Sequence, residues 1–223
     1  MSEFQRARRP EQVEARRTAI LDTATAMLRE KPVTEISLRE LSDEVGLAKS
    51  NVLRYFDSRE AIFLEVLDRT WGKWLDNLGL PDDDDVVDGD ARWAREVAVA
   101  SEIAFSIGTN HLLCELISVM ASVLERNISV GFARTFKQKA TAHTERLALM
   151  VRERIPELTP ASAGHFADAV FVIVAGLWPY AQPTEAVRAV TEELGMPPPG
   201  EMFLQGLTEG LTNQLIGLVA RSA

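Results

Sequence analysis

An all-α chain in two helical units is predicted by three observations. Apolar residues recur at three- and four-residue spacing in segment after segment. Helix start and stop signals frame those segments: Ser37 with Glu40 three residues later, Gly46, and Thr159-Pro160. The 223 residues suffice for two helical domains. A hydrophobic fraction of 46% and a charged fraction of 26% are ordinary for a folded protein. The single cysteine, Cys114, excludes an internal disulfide and a thiolate metal cluster. The N-terminus is polar and arginine-rich, and no run approaches the ~18–20 apolar residues of a membrane span. A cytoplasmic location is expected, with no membrane partner.

Met1 to Pro10 reads as a basic disordered arm whose Arg6, Arg8 and Arg9 suit a minor groove or phosphates, or else as a solvated tail. Glu11 to Glu30 reads as a helix with the core stripe Val13, Ile20, Leu21, Ala24, Met27 and Leu28, ended by Lys31-Pro32. The run Ser37 to Arg59 reads as two short helices around a tight turn. Ser37 and Glu40 have capping-box spacing, Leu38, Leu41 and Val45 share a face, and Gly46 stops the helix. A second helix over Ala48 to Tyr55 turns Val52 and Phe56 inward and leaves Lys49, Ser50, Asn51, Arg54 and Tyr55 outward. That is a helix-turn-helix layout, in which the second helix enters the major groove. Lys and Arg suit guanine edges or phosphates, and Asn suits adenine. The plainer reading of the spacing is a short helical hairpin.

The segments TAILDTATAMLREK and ISLRELSDEVGLAKSNVLRYFDSREAIFLEVL, within Thr18 to Leu67, resemble the DNA-binding domain of the TetR (tetracycline repressor) family. The resemblance implies an all-α protein with an N-terminal three-helix helix-turn-helix DNA-binding domain and a C-terminal helical ligand-binding and dimerisation domain. The expected divisions are an arm at 1–10, the DNA-binding domain at 11–60 and the second domain at 61–223. A bacterial homodimer on a pseudo-palindromic operator is implied, acting as a repressor that a small, largely apolar effector releases. On DNA the expected residues are Ser37, Arg39, Lys49, Ser50, Asn51, Leu53, Arg54 and Tyr55, with Arg59 on a phosphate. Leu53 departs from the pattern, since the family commonly has a phosphate-reaching Tyr there. Tyr55 or a neighbour takes over that contact, or Leu53 meets a thymine methyl.

The net charge of −9 is unevenly spread. Residues 1–59 carry 11 Lys and Arg against 10 Asp and Glu, whereas residues 60–90 carry 2 against 10. Such asymmetry lets one end approach DNA, repels the other, and predicts steep salt dependence.

Asp57 or Ser58 caps the next helix, which runs to about Leu78 with Ile62, Phe63, Val66 and Leu67 packed on the first helix and Trp71, Trp74 and Leu75 beyond. One rod then reaches from the DNA surface into the second domain, a geometry suited to a lever. Asp82 to Asp85, between Pro81 and Gly89, reads as a solvated loop rather than a divalent-metal site. Helices follow over Ala91 to Ile107 and Asn110 to Glu125, then from a cap at Asn127 to Arg154. Thr159-Pro160 starts a helix to Ala181 that is apolar on nearly every side from Phe166 to Trp178. Too short a run to span a membrane, it is expected against its own domain and a partner. A short helix over Thr184 to Leu194 and a Pro197 to Gly200 linker lead to a last helix, Glu201 to Arg221. Its stripe Leu204, Leu207, Leu211, Leu215 and Leu218 faces the core. Its stripe Phe203, Gly206, Gly210, Asn213 and Gly217 suggests close approach of another helix. With Asp168 and Val172 these are the expected dimer contacts, in a four-helix bundle.

For a ligand pocket the candidates are Trp71, Trp74, Phe105, His111, Glu115, Met120, Phe136, His143, Phe171 and Trp178, with large side chains framing a cavity and polar ones orienting its occupant. Population shift couples the pocket to DNA through Trp71 and Trp74. No cofactor or metal is called for. A helical sensor or adaptor without a DNA role is the alternative, and an enzyme with an Asp-rich metal site a remote one. His111 and Cys114 share a helix, but Cys114 lies in the apolar run LLCELI, which favours an inert buried thiol.

Overall fold

The computed structural model describes residues 10–82 and 92–222. Among these the chain is all helical: α1 (Pro10–Met27), α2 (Leu38–Val45), α3 (Lys49–Val52), α4 (Arg59–Asn77), α5 (Ala94–Gly108), α6 (His111–Met120), α7 (Val130–Arg154), α8 (Pro160–Ala181), α9 (Glu185–Glu193) and α10 (Pro199–Ser222). Of the expected arm only Pro10 is described, and it opens α1. Of the acidic run only Asp82 is described, and it pairs with Arg154 at 3.0 Å; the rest lies outside the described residues.

The first three helices close on a core of Ile20, Leu21, Ala24, Leu41, Val52 and Phe56. Ser37 Oγ accepts the Glu40 N–H, and the Glu40 carboxyl is held below its usual value by the Lys31 hydrogen bond and also by the Ser37 backbone N–H, which closes the capping box. Gly46 ends α2 at φ +72°, a left-handed conformation that costs a side chain about 1–2 kcal/mol. α3 is shorter than expected. It begins at Ala48, which offers no side-chain cap, and after Val52 the bonding tightens to Tyr55 N–H on Val52 O.

Helix α4 starts at Ser58, whose Oγ accepts the Ala61 N–H, and buries Ile62, Phe63, Val66 and Leu67 before reaching Trp71, Trp74 and Leu75. It is continuous across the expected 60/61 division. Helix α7 is capped by Ser129, not Asn127: Ser129 Oγ accepts the Phe132 N–H, while Asn127 sits in a one-turn helix just before. Helices α4 and α7 run in the same direction, because their polar partners advance together. Ser129 Oγ donates to Asp57 at 2.6 Å, Lys139 pairs with Asp68 at 2.6 Å, and Arg146 with Asp76 at 2.7 Å, followed by Arg154 with Asp82. The acidic positions around α4 are therefore matched by donors on α7, and Glu65 and Glu60 by Arg17 and Arg59. An exposed pair such as Arg146 with Asp76 adds about 0–1 kcal/mol, so the pairs between α4 and α7 set register while burial supplies stability.

Helix α8 packs on α6, α7 and α10. At 22 residues it is, by length and composition, long and apolar enough to cross a membrane, which corrects the expectation of too short a run. It is not buried on every side: Val172 is 71% and Tyr180 79% exposed, and Asp168 and Gly176 lie on the surface too. Helix α9 buries no side chain. In α10 the core stripe holds at Leu207, Leu211, Leu215 and Leu218, with Leu204 half-buried against Gly108.

Candidate nucleic-acid interface and effector cleft

The α2–turn–α3 unit fixes a surface by burying Leu41, Val52 and Phe56. That leaves Lys49, Ser50, Leu53 and Arg54 exposed together, with Asn51 and Tyr55 half-buried beside them. Lys49 and Arg54 have no acid partner among the described residues, so their charge is available to an anionic surface. Ser37 keeps its hydroxyl proton for such a surface while its oxygen caps α2. Arg39 reaches Asp43 at 3.8 Å across one helical turn and remains 88% exposed.

Two arginines have other work. Arg59 Nη1 donates to Val33 O at 3.1 Å and to Ile36 O at 2.6 Å, and Nε and Nη2 hold Glu60. Its side chain is only 19% exposed, and where a phosphate contact was expected the structure shows this group knitting the turn before α2 to the start of α4. Arg17 donates to Tyr55 O and Glu65 and lies over the Phe56 ring at 4.4 Å, holding the end of the recognition segment against α1 and α4.

A cleft of about 830 Å³ opens between α7 and α8, with Trp71 of α4 and Met120 of α6 behind it. It gathers three of the expected ligand residues, Trp71, Met120 and Phe171, and two expected at a dimer contact, Asp168 and Val172. His143 stands behind Trp71, stacked at 5.3 Å and 26°, with Nε2 3.0 Å from Asp68.

The other candidates lie elsewhere. Trp178 donates to Glu115 at 3.0 Å and packs edge-on against Phe203 at 5.2 Å, with His111 beside it, so these four form a cluster among α6, α8 and α10. Trp74 donates to Ser106, and with Phe105 it lines a separate groove of about 700 Å³ beside α1. Phe136 faces a hollow of about 370 Å³ under the first turns of α7.

The cleft residues missed from the sequence are on α7 and the start of α8: Lys137, Ala140, Thr141, Thr144, Glu145, Ala148, Leu149, Arg152, Pro160 and Gly164. The available signal was the small-residue ridge Ala140, Thr144 and Ala148 at four-residue spacing, which leaves room beside a helix.

The expected dimer stripe also needs correction. Phe203 is buried within its own chain. A Cβ at Gly206 would meet Leu177 at 3.6 Å, and one at Gly210 would meet Ile173 at 3.7 Å. The close approach those glycines permit is therefore to α8 of the same chain. Asn213 is exposed, and nothing lies within 4 Å of a Cβ at Gly217.

Burial pushes the Cys114 thiol up to about 12, and its Sγ donates to Ile107 O at 3.2 Å, so it is an inert core group not paired with the exposed His111. Burial raises the Asp68 carboxyl, but hydrogen bonds from His143 and Lys139 and their charge outweigh it, leaving a net pKa below the usual value.

Known proteins place this arrangement. The family model described as bacterial regulatory proteins, tetR family, matches residues 20–66, and the model described as tetracyclin repressor-like, C-terminal domain, matches residues 69–222. The HTH-type transcriptional regulator EthR of Mycobacterium tuberculosis is 39% identical over 54 residues, 24% of this chain and 25% of that protein. The match thus spans about a quarter of that relative's length. A tetR-family transcriptional regulator from Streptomyces coelicolor superposes with a TM-score of 0.54 at 13% identity, covering 94% of this chain and 88% of that one. The fatty acid degradation regulator FadR from Bacillus halodurans gives 0.50 at 12% identity, covering 90% and 97%. At these identities the two structures establish the shared fold.

Arg59→Ala is expected to lower unfolding free energy by about 2–3 kcal/mol, because the Ile36 carbonyl and Glu60 lose their partner and the Val33 carbonyl keeps only the Ile36 N–H. Lys49→Ala and Arg54→Ala should stay within about 0.5 kcal/mol of wild type yet weaken DNA binding. Urea denaturation and fluorescence anisotropy check both; an undiminished stability for Arg59→Ala would restore it to the DNA surface. The depressed pKa of Asp68 gives stability that is fully present above its unfolded value of about 3.9 and is lost as pH falls through the folded value. The stability difference between wild type and Asp68→Asn should therefore shrink as pH drops below about 4. A difference that holds down to pH ~2 would contradict it.

Proposed function

Because the chain belongs to the tetR family of bacterial regulatory proteins, a family of DNA-binding transcriptional regulators and not of enzymes, we propose that it is a homodimeric repressor of a pseudo-palindromic operator, released by a small, largely apolar effector. The observation that carries the DNA half is the cationic face of the helix-turn-helix, with Lys49 and Arg54 exposed while Val52 and Phe56 beneath them are buried. In this reading Lys49, Ser50, Asn51, Leu53, Arg54 and Tyr55 meet the major groove, with Ser37 and Arg39 near the backbone. The protein works in the cytoplasm, where operator DNA lies. DNA-binding and effector units meet within the first turns of α4.

Dimerisation is assigned to the open face of α8, where Asp168, Val172, Gly176 and Tyr180 are exposed, with Asn213 and Gly217 on α10 beside it. A second copy there sets the spacing of two recognition segments, and with it the half-site separation. The effector half rests on the apolar cleft between α7 and α8. An occupant shifts α7, and α7 is tied to α4 along its length and to the end of the recognition segment through Ser129 and Asp57. An occupant favouring one placement of α7 changes operator affinity by its differential affinity for the two placements.

Selection from a random duplex pool should yield a two-fold symmetric site whose affinity falls steeply with salt. Gly176→Arg, placed where a Cβ would meet nothing within 4 Å, should sediment as a monomer and lose the symmetric site. A dimeric Gly176→Arg protein would move the subunit contact elsewhere. Reciprocity predicts that operator binding slows amide exchange in the first turns of α7 as well as in α2 and α3. Asp57→Ala should abolish the slowing in α7 and keep it in α2 and α3; undiminished protection of α7 would rule out the Ser129 bridge as the route.

A further inference from the structure

We propose that the α7–α8 cleft takes a neutral, mainly apolar molecule bearing a carbonyl-type acceptor, and that the Trp71 indole N–H is the donor that reads this acceptor. The inference rests on the reading of the cleft as the effector site and names the chemistry of its occupant. Trp71 forms part of the cleft wall, is only 3% exposed, and is held between Phe171, at 4.1 Å between ring centroids, and His143. Its Nε1–H has no acceptor among the described residues. Two other buried indoles show what this fold ordinarily does with that group: Trp74 donates to Ser106 and Trp178 to Glu115. A buried donor without a partner destabilises a protein, and an occupant that brings an acceptor removes that cost on binding.

The walls decide the rest of the molecule. Met120, Leu149, Phe171 and Val172 supply an apolar lining, so most of the occupant is hydrocarbon. The charges do not form a cationic field: Glu145 and Asp168 line the cleft along with Arg152, whose Nε donates to Leu158 O, and Lys137 is paired with Glu125 at 2.6 Å. A carboxylate gains little from such a lining, whereas a ketone, ester or lactone oxygen needs only one donor. Ligand binding then loads the ring that stacks on His143, the residue that meets Asp68 of α4.

Equilibrium dialysis of the full chain against hexanophenone and hexylbenzene tests this, since the pair differs by one carbonyl. The ketone should bind about fivefold or more tightly, although transfer from water favours the hydrocarbon. Trp71→Phe should reverse that preference and leave hexylbenzene within about twofold of its wild-type affinity. Gly164→Leu fills the cleft where a Cβ meets nothing and should weaken both probes by about tenfold. Equal binding of the two probes, a ketone preference that survives Trp71→Phe, or no binding of either would overturn the proposal. If Trp71→Phe unfolds, the wild-type preference and the weakening of both probes in Gly164→Leu still decide. Operator release is read separately. Ketone binding without release would fault the regulatory reading and leave this one standing, while absent binding with intact operator recognition would do the reverse.

Discussion

The carboxylate of Asp68 fixes how the two halves of this molecule lie against each other. It is shared by Lys139 and His143, one turn apart on α7, so α7 can slide along α4 only by breaking both contacts. The neighbouring pairs on either side have the same sense, with acid around α4 and donor on α7. None is worth much as a surface ion pair, and the buried residues beneath them supply the stability. What the row of pairs supplies is a single register. Trp71, one turn beyond Asp68, is positioned by it: His143 stacks on the indole, and Phe171 lies tilted against it. The floor of the cleft and the alignment of the DNA-bearing rod are thus set by one carboxylate.

At the other end of α4, internal order is maintained by arginines that look, in sequence, like surface charge. Arg59 donates to the carbonyl of Ile36, in the turn before α2, and to that of Val33, which also accepts the Ile36 N–H. Arg17 does the same for Tyr55 O while covering Phe56. A three-helix unit this small has little apolar area to bury, and charge-assisted bonds to backbone oxygens hold its loops where a larger core would do so by packing. The cations left for DNA are those with no such carbonyl nearby.

Local signals were legible in the sequence. The cap at Ser37, the stop at Gly46, the start at Thr159-Pro160 and the core stripes of α1, α4 and α10 all follow from short-range stereochemistry and period. The helix-turn-helix surface was legible for the same reason, since its inward and outward positions alternate within eight residues of one turn. What escaped depends on distance along the chain. Arg59 could be seen as internal only by knowing that residues 33–36 pass beside it. The glycines of α10 announced a close helix without saying that it was α8 of the same chain. The cap of α7 fell at Ser129 because that hydroxyl also reaches Asp57, a tertiary contact that outweighs the local preference for Asn127. Of the ten ligand candidates Trp71, Met120 and Phe171 line the cleft, while its α7 wall includes alanines and threonines that carry no conspicuous chemistry.

The bridge between Ser129 and Asp57 has a bearing on chimeric regulators. The family models divide the chain between residues 66 and 69, and a graft made there would look conservative, since it cuts α4 between two matched units. Yet Asp57 lies upstream of such a junction and its partner downstream, whereas Asp68 sits within the junction itself. A recipient carrying a foreign reading head would keep every helix and lose the hydrogen bond between Asp57 and the cap of α7. The two matched units can be recombined in this scaffold only if the grafted head carries at position 57 a residue that suits Ser129, the cap of α7.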